Sequence, residues 1–172
     1  MRKQKGFSLI ELLIVVAIIL IIAAIAIPNL LRARIAANES SAAASIRTID
    51  TGMLSYQTAF PNVGYALVLS DLGPGVGNTT CPAAGPGINN ACIIDNVLAT
   101  GAKSGYNFTA VGANPNAAGA NQTFLATAVP ANLNTTGVKG FCGMEDNVVR
   151  FVTPSGAAIT VGQCQTYTSI GQ

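Results

Sequence analysis

Residues 7–31 are apolar at almost every position, and Glu11 is the one charge among them. At a rise of ~1.5 Å per residue such a helix reaches ~37 Å, enough to cross a hydrocarbon layer of ~30 Å. From residue 32 to residue 60 the pattern becomes amphipathic. Ile35, Ala42, Ile46, Ile49, Met53, Tyr56 and Phe60 recur every three or four residues, apart from one seven-residue step past Glu39. They form one helical stripe, and Arg32, Asn38, Ser41, Ser45 and Thr48 fall mainly elsewhere. A stripe with Tyr, Phe and Met also suits a cofactor groove or an electron path, but packing on a sheet is the simpler reading. Gly52 costs ~1 kcal/mol relative to Ala and permits close packing. Between the two halves, Pro28 removes an N–H and crowds the carbonyl of Ala24, which predicts a kink after which the helix resumes. Pro61 biases Phe60 away from helical angles and ends the helix.

Residues 61–104 read as a loop region, with turn signals at Gly73-Pro74-Gly75, Gly77-Asn78 and Gly85-Pro86-Gly87. Residues 93–99 suit a turn or two of helix. Three short, partly alternating segments then predict strands: 106–111, 123–129 and 148–152. In the second, Phe124, Ala126 and Ala128 share one face, which predicts contact with the helix. The expected fold class is α+β, a long N-terminal helix on a small antiparallel sheet occupying residues 105–172.

Charge and cysteine usage narrow the function. Only 9% of residues are charged, which suits contact between copies of the chain better than steering of a charged ligand. Three of the nine basic residues are Arg2, Lys3 and Lys5; without them six basic side chains face seven acidic ones, a formal charge of −1. No basic cluster follows Arg34, so nucleic acid is not the expected partner. The four cysteines allow three pairings. Proximity in the chain favours Cys81–Cys92 and Cys142–Cys164, which places the domain in an oxidising compartment. There is no histidine and no CxxC spacing, which argues against zinc.

The basic residues before the apolar run keep its start cytoplasmic and send the remainder outward. A cleaved secretory signal has a shorter apolar core and a small-residue site after it. A plain anchor does not account for Glu11, because a carboxylate within an apolar span is costly and normally has a partner. The nearby cations are the leader side chains, or a new α-amino group at Phe7 if the chain is cut after Gly6.

Lys5-Gly6-Phe7-Ser8-Leu9-Ile10-Glu11-Leu12, followed by an apolar run and Pro28, resembles the processing and assembly motif of type IV pilins and related pseudopilins. Gly105-Tyr106-Asn107-Phe108 and the Cys142/Cys164 pair are more weakly similar to pilin globular domains. The resemblance implies a leader over residues 1–6, a membrane and filament-core helix over 7–31 and an amphipathic half over 32–60. It implies cleavage between Gly6 and Phe7 by a membrane-embedded prepilin peptidase and N-methylation of Phe7. A residue without Cβ at position 6 suits close approach of a protease. Glu11 then neutralises the N-terminal ammonium of a neighbouring subunit, two opposite charges that attract strongly in a low-dielectric core. Family members also melt locally before the proline on assembly, here near residues 20–28.

The implied partners are copies of the chain in a helical filament, the peptidase, the inner-membrane assembly machinery and, before assembly, the lipid bilayer. The implied location is the bacterial inner membrane, with the N-terminus cytoplasmic and the domain periplasmic, and then an extracellular pilus. Family filaments serve twitching motility, adhesion, DNA uptake, electron transfer and secretion.

The main pseudopilin of a type II secretion system shares the features up to residue 60. Such domains usually lack disulfides and carry a calcium-binding loop, whereas Asp95 and Asp146 are too isolated for a hard-cation site. Glu145-Asp146 reads as a solvated acidic turn. A membrane-anchored enzyme is the reading from another class. It lacks histidine for a triad, an S-x-x-K motif to employ Lys103 or Lys139, and a Gly-rich phosphate loop. No catalytic residue, metal or cofactor is expected.

Overall fold

The computed structural model describes residues 8–153 and 159–170. The first helix, α1 (Leu9–Ala59), continues through Pro28, and residues 20–28 are helical. The chain divides into two compact units, one ending at Arg34 and one beginning at Ile35.

In the second unit α1 is followed by a 3-10 turn (Leu69–Leu72), α2 (Asn96–Ala99), β1 (Ala102–Lys103), β2 (Tyr106–Pro115), β3 (Asn121–Pro130), β4 (Gly140–Met144), β5 (Arg150–Val152), α3 (Val161–Thr166) and β6 (Thr168–Ser169). The strands pair in chain order as one antiparallel meander. Registers such as Phe108↔Ala128↔Phe141↔Phe151 and Ala110↔Ala126↔Gly143 run across it. The first row supplies bulk. The second is made of small residues and lets other elements approach the sheet closely.

The helix buries Ala42, Ile46, Ile49, Met53 and Tyr56 in one core with Tyr106, Phe108, Phe124, Ala126, Ala128 and Phe141. Alternation puts Phe124, Ala126 and Ala128 on that face together. Ser45, expected away from the stripe, is buried, and so is Asp50. Gly52 packs closely, since a Cβ there would meet side-chain atoms of Ile94 and Leu72 at 3.2 and 3.5 Å.

The sheet is larger than the sequence pattern predicts, with six strands instead of three. β4 carries two glycines in five residues, which weakens any strand signal. The last predicted strand starts at Arg150, not at Val148. Within 61–104 the chain forms the 3-10 turn, α2 and β1. Helix α2 begins only at Asn96, where the Asp95 carboxylate caps the Leu98 N–H at 3.3 Å. The amides of Ile93 and Ile94 instead donate to Leu72 O.

The second face of the sheet has its own small core. Cys142, Met144, Ile159 and Cys164 are buried there, with Leu125, Val129, Val152 and Tyr167 packed around them. Helix α3 starts with a capping box, in which Gln163 N–H donates to Thr160 Oγ1 and Thr160 N–H donates to Gln163 Oε1. The Cys142–Cys164 disulfide fastens α3 to β4. A second disulfide joins Cys81 and Cys92.

Candidate assembly site

Residues 9–31 of α1 carry sixteen large aliphatic side chains, and every one is exposed, from 46% at Val16 to 78% at Leu9. Water does not tolerate so large an apolar surface, which requires lipid or other apolar helices around it. The segment is helical because an apolar run in a bilayer must satisfy its backbone polar groups internally.

Glu11 lies in the first turn of this helix. Its Oε2 accepts the Ser8 N–H at 3.0 Å. That is half of a capping box, and the negative charge also complements the positive end of the helix dipole. The Ser8-x-x-Glu11 spacing signalled this cap, and sequence reasoning passed over it. Among the described residues no basic side chain pairs with Glu11. The cap uses one of the two carboxylate oxygens. Pro28 sits within α1, exposed, and leaves the carbonyl of Ala24 without its helical donor. Gly6 and Phe7 lie outside the described residues.

In the second unit, Glu39 joins α1 to the loop before β4. Its Oε1 accepts the N–H groups of Val138 and Lys139 at 3.0 and 3.1 Å, and its Oε2 faces Lys139 Nζ at 3.6 Å. Nearby, Asn38 Nδ2 donates to Thr136 O at 2.9 Å and the Tyr106 hydroxyl donates to Lys139 O at 2.8 Å. The two acidic residues of the β4–β5 turn differ. Asp146 forms an ion pair with Arg150, which holds its carboxyl below the usual range. Among the described residues no three His, Cys, Asp or Glu side chains converge as a metal site.

Asp50 is the residue that sequence reasoning missed. It lies one turn after Ile46 on the buried face, 1% exposed, and neither carboxylate oxygen has a hydrogen-bond partner among the described residues. Burial pushes its pKa up from 3.8 to about 8, and the negative charge of Asp146 adds to the shift. At neutral pH the group is a protonated acid within the core. No spacing rule exposes such a residue, because a helical Asp normally faces water.

Comparison with known proteins agrees with this geometry. Residues 1–27 match the family model described as a prokaryotic N-terminal methylation motif. The chain is 39% identical over 97 residues to the type IV wide pilus major component PilA4 of Thermus thermophilus, across 55% of this chain and 74% of that protein. It is also 44% identical over 54 residues to the type IV major pilin protein PilA of Myxococcus xanthus, across 31% of this chain and 24% of that one. No solved structure matches the chain. With a methylation motif at its head and a pilus component matched along most of that relative's length, the chain belongs to the type IV pilin family.

Proposed function

We propose that this chain is a structural subunit of a type IV pilus that polymerises through residues 7–31. The observation that carries this reading is a long helix segment exposing sixteen large aliphatic side chains, with one carboxylate at its start. Such a segment has two comfortable environments, lipid and a bundle of its own kind, and leaves the first for the second during assembly.

On this reading residues 1–6 are a leader that prepilin peptidase removes between Gly6 and Phe7, after which Phe7 is N-methylated. The new ammonium and Glu11 of a neighbouring subunit neutralise one another in the filament core. The subunit waits in the inner membrane, with its N-terminus cytoplasmic and the domain from Ile35 onward periplasmic, until the assembly machinery extracts it. Its role is to build, not to catalyse. The amphipathic half and the sheet tile the outside of the fibre, and the two disulfides hold the tiles together.

Intact mass and N-terminal sequencing of protein from sheared extracellular fibres test this directly. The expected result is an abundant chain beginning at a methylated Phe7. A chain beginning at Met1, or one confined to the membrane as a monomer, would overturn it. Cleaved protein that stays in the cell envelope would point instead to the secretion pseudopilus.

A further inference from the structure

The two disulfides sit in opposite surroundings. Cys142 and Cys164 are fully buried behind the sheet, whereas Cys81 is exposed and Cys92 half-buried. Their attachments also differ. Around Cys92 the backbone is fastened to the 3-10 turn: Ala91 N–H donates to Asp71 O at 2.8 Å, Cys92 N–H to Gly73 O at 3.0 Å and Ile93 N–H to Leu72 O at 2.7 Å. Around Cys81 nothing comparable exists among the described residues. From 76 to 87 the backbone bonds are local turns, such as Asn78 N–H to Gly75 O and Gly85 N–H to Pro82 O. The next firm attachment is at Ile88, whose carbonyl accepts the Tyr56 hydroxyl at 2.6 Å. The other ties of this segment reach only neighbours along the chain: Gly87 exchanges backbone bonds with Asn90 at 3.3 and 3.1 Å, Asn90 Nδ2 donates to Gly85 O at 3.4 Å and Asn78 Nδ2 donates to Pro74 O at 3.3 Å. The Cys81–Cys92 bond is therefore the main tie between the middle of residues 76–87 and the segment fastened to the 3-10 turn.

We propose that Cys81–Cys92 is a thiol-exchange site, opened in the native protein by low-molecular-weight thiols, and that its opening releases residues 76–87 while Cys142–Cys164 stays closed. Exchange needs in-line access of a thiolate to a disulfide sulfur. The thiolate attacks Cys81 Sγ, the exposed partner. The Sγ–Sγ bond breaks, a mixed disulfide forms on Cys81, and Cys92 leaves as a thiolate held in place by the bonded 91–94 segment. A second thiolate attacking the added sulfur yields the oxidised small thiol and free Cys81, so two thiols supply the two electrons. Alternatively Cys92 attacks the mixed disulfide, expels the small thiol and restores the bridge. The anchored Cys92 makes the step reversible, so this surface loop works as a latch set by the surrounding thiol concentration.

The test is timed reduction of the full chain in detergent and of sheared fibres with glutathione, without denaturant. Free thiols are alkylated at each time and the peptides identified by mass, with hydrogen exchange read in parallel. The expected result is labelling of Cys81 and Cys92 at least tenfold faster than of Cys142 and Cys164. Exchange should rise across residues 76–87 and stay unchanged across 91–94. Equal rates, prior opening of Cys142–Cys164, resistance of both bridges until denaturation, or an opened bridge with unchanged protection at 76–87 would each overturn the proposal.

Discussion

The carboxyl group of Asp50 occupies the volume in which a side chain at position 143 would stand. A Cβ built on Gly143 collides with both Asp50 carboxyl oxygens, so α1 and β4 fit because one residue there lacks a side chain. Gly143→Ala should therefore destabilise the domain by about 1–3 kcal/mol through overpacking. Denaturant unfolding of the detergent-solubilised chain measures this. Asp50→Ala should recover part of the loss, since the two sites share one space. Strict additivity of the two changes would contradict the packing relationship.

The same residue predicts a pH dependence. A carboxyl whose folded pKa is raised binds more protons folded than unfolded between the two pKa values. Stability from this group is complete below 3.8, falls as pH rises, and levels off above about 8. The slope approaches ~1.4 kcal/mol per pH unit inside that window. The charged groups on the adjoining β4–β5 segment are Glu145, Asp146 and Arg150, and Arg150 is committed to Asp146. Asp50→Asn should flatten the thermal-unfolding profile between pH 4 and pH 8; an unchanged slope would assign it to another group.

Glu11 caps the helix, and the proposed function gives it a second, separable role as charge partner. Glu11→Gln keeps an oxygen for the Ser8 N–H but removes the charge. Cleaved subunit should accumulate in the membrane with filament yield reduced at least tenfold, as for Glu11→Ala. Normal yield from the Gln variant alongside loss in the Ala variant would make capping, not charge, the requirement.

Gly6→Leu should block removal of the leader. The membrane-bound protein would retain the mass of the full chain, whereas cleavage at the normal rate would exclude the proposed site.

Glu39→Ala should cost about 1–3 kcal/mol, because two backbone N–H groups lose their acceptor. Lys139→Ala should cost under ~1 kcal/mol, since its ion pair is half-exposed. Equal effects would shift the importance from the backbone contacts to the ion pair.

The helix was readable in the sequence because its signals are periodic and long. Ile46, Ile49, Met53 and Tyr56 repeat at helical spacing and lie buried together. β3 was readable for the same reason at a period of two. β4 was not, since Gly140 and Gly143 are poor strand formers whose value lies in what packs against them. Helix α3 depends on its capping box and its tie to Cys142, and six residues are too few for periodicity to register. Asp50 was illegible because its environment is assembled from residues nearly a hundred positions away.

β4 has no outward side: all five of its residues are buried, with the helix core on one face and the Cys142–Cys164 core on the other. The least editable stretch of the chain is therefore one whose composition looks like a linker. Divergence among related chains, and any peptide grafted for display, belongs instead at the tips beside Gly77, Gly85 and Gly119, where the space around the backbone is open; the glycines themselves stay, because their positive φ strains any other residue.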